Sequence, residues 1–135
     1  SYLSKSPLEQ RLLNLIYFRV SQINGCAYCL DMHSKDLQVQ GETAQRLYLL
    51  SAWREAPFYS EREQAALEWA EAVTRLKDGQ VSDETYAFAS KVFSDEELVD
   101  LTFAVIAINS YNRLNIAFRT EAGSYEPGQH AVHIQ

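Results

Sequence analysis

Features that would mark a membrane or nucleic-acid-binding protein are missing from this chain of 135 residues. No uninterrupted apolar run approaches the roughly 20 residues that a membrane-spanning helix needs, and the N-terminus does not have the charged, then apolar layout of a signal peptide. Lysine and arginine form no cluster, and the formal net charge of −6 disfavours a nucleic-acid-binding face. We therefore expect a cytoplasmic protein that binds neither membrane nor nucleic acid.

Cysteine is also scarce, since the chain contains only two. A chain of this length buries about two thirds of its unfolded surface and does not need disulfides to fold. Structural disulfides are rare in the reducing cytoplasm, so a close cysteine pair there is more often catalytic or metal-binding. Cys26 and Cys29 are such a pair, because only two residues separate them.

Strand signals are almost absent, because no stretch alternates apolar and polar residues between turn residues. Helix signals recur instead, since residues suited to cap a helix precede patterns of helical period at Ser6, Ser60, Ser82 and Ser94. These signals predict an all-α fold of about six helices. The first begins near Ser6 and ends at residues 24–25, and the C-x-x-C pair starts the second, over residues 26–40.

The last predicted helix, which begins after Ser94, is apolar on more than one side. It is therefore either a buried central helix or an oligomer interface, and in a chain this small we favour self-association. Residues 1–123 are predicted to form one helical domain. Residues 124–135 form a polar C-terminal tail that adds little to the core.

The two cysteines and a histidine share one helical stripe if residues 26–33 are helical, because positions i, i+3 and i+7 lie on the same face. A helix N-terminus stabilises a thiolate, and His33, one turn after Cys29, can take the thiol proton or pair with the thiolate. This spacing predicts Cys29 as nucleophile and Cys26 as its resolving partner. The reverse assignment stays open, because the first cysteine is the activated one in many C-x-x-C helices.

Two other interpretations of the cysteine pair remain. A structural zinc site needs four ligands, and this stretch supplies three, with His130 or His133 as remote fourth ligands. The cysteines can also be inert buried thiols, because free cysteine is among the residue types most often buried.

The stretch RVSQINGCAYCLDMH, residues 19–33, closely resembles the core motif of the AhpD-like alkylhydroperoxidase family, within the carboxymuconolactone decarboxylase superfamily. The likeness extends through residues 45–48, 51–55, 96–101 and 108–114. It implies an all-helical homotrimer or homohexamer that reduces a hydroperoxide with its cysteine pair and requires no metal or organic cofactor. The family's best-known member passes electrons from a dihydrolipoyl carrier to a peroxiredoxin. The implied partners are therefore a dihydrolipoyl or thioredoxin-like dithiol carrier and a peroxiredoxin.

The chain departs from the family motif at one position. The family has a glutamate twelve residues before the first cysteine, in a proton relay with the histidine, and Asn14 stands there in this sequence. A carboxamide can orient an imidazole or a water but cannot accept a proton near neutral pH. Glu9 and Glu68 are candidate replacements. Alternatively, Asn14 fills a polar position where a water still supports the chemistry.

Three functions therefore compete before the structure is considered. The first is a thiol-dependent peroxidase or disulfide reductase of antioxidant defence, slowed by Asn14. The second is a carboxymuconolactone decarboxylase-type lactone enzyme, for which the cysteines would be incidental. The third is a redox-sensing helical oligomer that oxidises without turnover.

Overall fold

The computed structural model describes residues 2–128 of the chain. Within this range it contains six α-helices and no strand, which confirms the all-α prediction. The helices are α1 (Gln10–Asn24), α2 (Ala27–Val39), α3 (Ala44–Tyr48), α4 (Glu61–Arg75), α5 (Asp83–Val92) and α6 (Asp95–Ala117). Short 3₁₀ helices lie at Leu3–Lys5, Leu50–Glu55 and Lys77–Gly79. No helix of this part of the chain has the length and apolar character needed to cross a lipid bilayer.

Side-chain caps start α4 and α6 where the sequence predicts them. At α4, Ser60 Oγ accepts a hydrogen bond from the Glu63 N–H (3.1 Å), and the Glu63 carboxylate accepts one from the Ser60 N–H (2.8 Å). The same reciprocal pair forms at α6 between Ser94 and Glu97. Each pair satisfies two backbone donors that the helix itself leaves unpaired.

The first helix starts later than predicted. α1 begins at Gln10, and its N-cap residue Glu9 makes no side-chain capping bond. Ser6 Oγ accepts from the Leu8 N–H (3.1 Å) and donates to Asp100 Oδ2 on α6 (2.6 Å). The predicted capping serine therefore ties the N-terminal segment to α6, because a hydroxyl that finds a carboxylate acceptor makes the stronger, charge-assisted bond.

The most enclosed helix is α1, which packs against α2, α4 and α6. Its buried apolar side chains are Leu12, Leu13, Leu15, Ile16, Phe18 and Val20. In contrast, α6 buries Leu101 and Val105 on one side and leaves Val99, Phe103 and Ile106 about half exposed on the other. α6 is therefore a surface helix with a second, uncovered apolar stripe.

The chain that follows α6 returns to the outer side of α2. The Gly123 N–H donates to Asp31 Oδ2 (3.0 Å), Lys35 Nζ donates to the Tyr125 carbonyl (2.9 Å), and the Tyr125 hydroxyl donates to Asp36 Oδ1 (2.7 Å). Tyr125 is buried. Tyr125 is not part of the main hydrophobic core, so the part of the predicted tail that the structure describes contacts α2, and residues 129–135 lie outside the described range.

Candidate active site

The turn between α1 and α2 places the cysteines. Gly25 ends α1 in the left-handed region (φ +74°), where glycine has no steric penalty, and its N–H donates to the Ser21 carbonyl (2.9 Å). Cys26 follows with extended backbone as the N-cap residue of α2, and its Sγ accepts a hydrogen bond from the Cys29 N–H (3.3 Å). The C-x-x-C pair therefore lies at the start of the second helix, as predicted.

Cys26 and Cys29 are joined by a disulfide, and their Cα atoms are 5.3 Å apart. Each residue is only 1% exposed. The first turn of the helix thus brings both sulfur atoms within bonding distance without any contribution from a distant part of the chain. The pair can store two electrons by cycling between dithiol and disulfide.

His33 lies on the buried side of α2 together with Cys29 and Leu37. It is 8% exposed, and burial lowers its pKa from the ordinary 6.5 to about 4, because the interior disfavours the imidazolium. Its Nδ1 is buried and has no hydrogen-bond partner among residues 2–128. At neutral pH the ring is therefore uncharged and keeps one buried nitrogen unpaired.

Two side chains of α1 belong to the same region. The ring centroid of Tyr17 lies 5.3 Å from that of His33. Burial, with a smaller contribution from Tyr111, raises the pKa of Tyr17 to about 12, so its phenol stays protonated at neutral pH. Asn14 is half-buried one turn earlier on the same helix and makes no side-chain hydrogen bond to another described residue.

The candidate replacements for the family's glutamate are occupied elsewhere. Glu9 forms an ion pair with Arg62 (2.9 Å), and Glu68 lies 3.8 Å from Arg54. Within the described residues, no carboxylate forms a hydrogen bond with His33. The structure therefore supports neither Glu9 nor Glu68 as the missing proton acceptor.

Asparagines of α6 hold the turn that carries the cysteines. Asn24 Nδ2 donates to Asn109 Oδ1 (2.8 Å) and to Asn112 Oδ1 (3.0 Å), and Asn112 Nδ2 donates to Ser21 Oγ (3.0 Å). Three residues further along, Asn115 Nδ2 lies 3.8 Å from Cys29 Sγ. Asn115 was not singled out from the sequence. The signal that could have found it is the recurrence of asparagine at every third position of an otherwise apolar helix.

Metal ligands are not grouped in this part of the chain. Among residues 2–128, no three histidine, cysteine, aspartate or glutamate side chains are placed to hold a metal ion. His130 and His133, the remote zinc ligands considered above, lie outside the described residues.

Comparison with known proteins identifies relatives along nearly the whole chain. The model of the carboxymuconolactone decarboxylase family matches residues 2–72. The uncharacterized protein YdfG of Bacillus subtilis strain 168 is 44% identical over 123 residues, which cover 91% of this chain and 84% of YdfG. These matches follow the likeness that the sequence motif indicated.

Two crystal structures show the same fold. One is of an Agrobacterium tumefaciens protein of unknown function, suggested to be an antioxidant defence protein AhpD. It has a TM-score of 0.86 and 42% identity, and the match covers 92% of this chain and 85% of that one. The other is an uncharacterized peroxidase-related protein of Silicibacter sp. TM1040, with a TM-score of 0.78 and 24% identity, covering 89% of this chain and 63% of that one. The AhpD-like assignment is thereby confirmed.

Proposed function

The chain belongs to the carboxymuconolactone decarboxylase family, and we propose that it is a thiol-dependent peroxidase of antioxidant defence in the cytoplasm. The observation that carries the proposal is the pairing of a disulfide-bonded cysteine couple with a buried, neutral histidine one turn away. Relatives named as an antioxidant defence protein and as a peroxidase-related protein agree with it.

The proposed cycle uses Cys29 as nucleophile. His33, one turn after Cys29, has a neutral ring at pH 7 and can take the thiol proton during the attack, and because its pKa is only about 4 it passes that proton on to the leaving alkoxide. The thiolate attacks one oxygen of a hydroperoxide, so that an S–O bond forms as the O–O bond breaks. The alkoxide that leaves takes a proton and becomes an alcohol, and Cys29 becomes a sulfenic acid.

Cys26 completes the oxidative half of the cycle. Its sulfur attacks the sulfenic sulfur of Cys29, the disulfide forms, and the hydroxyl leaves as water. An external dithiol, such as a dihydrolipoyl or thioredoxin-like carrier, then reduces the disulfide and is itself oxidised. A peroxiredoxin that accepts electrons from the reduced pair is an alternative to direct peroxide reduction.

The buried disulfide sets a condition for the reductive half. Both cysteine residues are 1% exposed, so a dithiol must reach a sulfur that solvent barely contacts. We propose that the start of α2 moves outward during reduction. The turn at Gly25 is the place where the backbone can accommodate this motion without disturbing the helices.

The decisive experiment measures steady-state consumption of an organic hydroperoxide with dihydrolipoamide as reductant. We expect multiple turnovers in the wild type and a loss of at least about 10³-fold in Cys29→Ser, because the nucleophile is removed. Ser110→Ala, at an exposed position of α6 outside the site, is the matched control and should retain wild-type activity. A single stoichiometric oxidation without turnover would contradict the peroxidase and favour a redox sensor.

The order of the two cysteines has its own test. After peroxide treatment, Cys26→Ser should accumulate a sulfenic acid at Cys29 that dimedone labels, because no partner thiol is present to condense with it. Cys29→Ser should not. Labelling at Cys26 instead would reverse the assignment of attacking and resolving residues.

We further propose that copies of this chain assemble through the exposed stripe of α6. Val99, Phe103 and Ile106 recur at i, i+4 and i+7 and are 51%, 52% and 51% exposed. They border a groove of about 520 Å³ that Trp69 and Tyr86 also line. A second copy of the same helix would cover this apolar surface.

Light scattering coupled to size exclusion tests the assembly. Phe103→Glu should shift the protein from a trimer or hexamer to smaller species, because it places a charge in the apolar stripe. Tyr48→Glu, at an aromatic position of α3 that is 81% exposed, controls for added surface charge and should not change the mass. A monomeric wild type would overturn the proposal.

A further inference from the structure

The two sulfur atoms of the disulfide each face one N–H donor, and the donors come from different parts of the chain. Cys26 Sγ accepts from the Cys29 backbone N–H (3.3 Å). Cys29 Sγ lies 3.8 Å from the carboxamide nitrogen of Asn115, which is 86 residues away in the sequence. The backbone at the N-terminus of α2 therefore supplies the donor to Cys26. The donor to Cys29 comes from α6 and depends on tertiary packing.

The orientation of the Asn115 amide follows from its second contact. Asn115 Nδ2 donates to the Tyr111 carbonyl one turn earlier on α6 (2.8 Å). A carbonyl oxygen can only accept, so the nitrogen and not the oxygen of the amide must face it. Both contacts use the same nitrogen, which carries two N–H groups, so one N–H can donate to the Tyr111 carbonyl and the other to Cys29 Sγ.

The helix on which Asn115 stands is held firmly against the cysteine turn. Asn112, one turn earlier, is fully buried and bonds Ser21 and Asn24 at the end of α1. The position of Asn115 relative to Cys29 is thus set by packing. A donor held in place before the reaction stabilises a developing negative charge more effectively than a mobile one.

We infer that Asn115 is a catalytic residue that stabilises the Cys29 thiolate by hydrogen bonding and thereby selects Cys29 over Cys26 as the attacking cysteine. The inference rests on the proposed thiol chemistry and adds a residue to it. Without Asn115, the first turn of α2 would favour the thiolate on Cys26, whose sulfur caps the helix.

The other ionisable groups near α2 do not replace this donor. α2 itself carries Tyr28, His33, the Asp31–Lys35 ion pair (3.0 Å) and Asp36, which accepts from Tyr125, while α1 contributes Tyr17 and α6 contributes Tyr111. The Asn115 carboxamide, in contrast, contacts Cys29 Sγ directly as a hydrogen-bond donor.

The test measures the pKa of Cys29 in a Cys26→Ser background, from the pH dependence of thiolate absorbance and of alkylation by iodoacetamide. Asn115→Ala should raise the pKa of Cys29 by about 1, so that alkylation below the pKa slows roughly tenfold. Asn115→Asp should raise it further, because a carboxylate of nearly the same shape replaces the donor with a negative charge. Ser110→Ala should change nothing.

Two further measurements separate electrostatic stabilisation from a structural effect. In a Cys29→Ser background, Asn115→Ala should leave the pKa of Cys26 unchanged. In the reduced protein with both cysteines, substoichiometric alkylation followed by peptide mapping should label Cys29 in the wild type and shift toward Cys26 in Asn115→Asp. If Asn115→Ala fails to fold, the isosteric Asn115→Asp variant carries the test.

An unchanged pKa of Cys29 in folded Asn115→Ala and Asn115→Asp would overturn the inference. The measurement uses neither peroxide nor reductant, so it is independent of turnover. Absence of hydroperoxide consumption with a shifted pKa would contradict the proposed function alone, whereas turnover with an unchanged pKa would contradict the role of Asn115 alone.

Discussion

Two buried polar regions of this molecule differ in how completely their hydrogen-bonding groups are satisfied. Glu71 Oε2 accepts from Arg19 Nε and from Trp53 Nε1, each at 2.9 Å, and Oε1 accepts from Arg54 (2.6 Å). At the cysteine site, His33 Nδ1 is buried without any partner among the described residues. Buried polar atoms are nearly always paired, so this nitrogen is the feature that distinguishes the cysteine site from the Glu71 region.

The two regions also differ in charge. Burial alone would raise the pKa of Glu71, but hydrogen bonds from Arg54, Trp53 and Arg19 outweigh burial and lower it, so Glu71 stays ionised. His33 has no charged partner among residues 2–128, and burial keeps it neutral. A paired charge joins helices, whereas an unpaired neutral base remains available for chemistry. The comparison indicates a structural role for the Glu71 region and agrees with the catalytic role proposed for His33.

Glu71→Ala should produce the largest loss of stability. It leaves Arg19, a residue that is only 7% exposed, without its counter-charge, and removing one partner of a buried ion pair costs about 3–5 kcal/mol. Urea unfolding measures the change. The pKa of Cys29 should not move, because the Glu71 contacts do not include the cysteine turn.

Glu68→Ala provides the matched control for Glu71. Glu68 is on the same helix and also faces Arg54, but at 3.8 Å and with a side chain that is 26% exposed. A partly solvated pair of this kind is worth about 0–1 kcal/mol. Equal losses of unfolding free energy in Glu71→Ala and Glu68→Ala would contradict the distinction between a satisfied buried cluster and a partly exposed ion pair.

Asn14→Glu should increase peroxide turnover. A carboxylate at this half-buried position of α1, one turn before Tyr17, would supply the proton acceptor that the carboxamide cannot. General acid–base catalysis contributes at least about 10²-fold, so a rise of this order is expected in kcat with dihydrolipoamide and an organic hydroperoxide. Asn14→Gln, which is longer but equally unable to accept a proton, is the control. Unchanged activity in Asn14→Glu would mean that His33 needs no carboxylate.

His33 should make the protein sensitive to mild acid. Its pKa is lowered on folding from 6.5 to about 4, so between these values the unfolded chain binds a proton that the folded chain does not, and stability falls as pH falls. From pH 7 to pH 5 this corresponds to about 2 kcal/mol. The loss should be absent in His33→Gln, which cannot titrate.

Urea unfolding of both proteins at the two pH values isolates the contribution of His33, because all other groups titrate in both. An equal loss in the wild type and in His33→Gln would show that the ring is not held neutral by burial. We expect no comparable pH dependence of stability from the Glu71 region between pH 7 and pH 5, since the Glu71 carboxylate stays ionised there.

Local features of the fold were predictable from the sequence. The capping boxes at Ser60 and Ser94 involve residues three positions apart, so their formation depends only on the neighbouring backbone. The end of α1 at Gly25 likewise depends only on the local backbone. Ser6 offered an identical signal, but α1 begins at Gln10 because Asp100 of α6 engages the hydroxyl. That outcome depends on a contact between distant residues that no local pattern contains.

The sequence by itself determined that the chain is helical and that Cys26 and Cys29 meet at the start of a helix with His33 on the same stripe. Spacing along a helix is enough for this, because helix geometry is the same wherever the segment packs. Tertiary structure decided what surrounds these residues: the unpaired Nδ1 of His33 and the Asn115 amide at Cys29 Sγ. Both depend on how α1 and α6 pack against α2, since burial and long-range contacts arise only when separate helices come together.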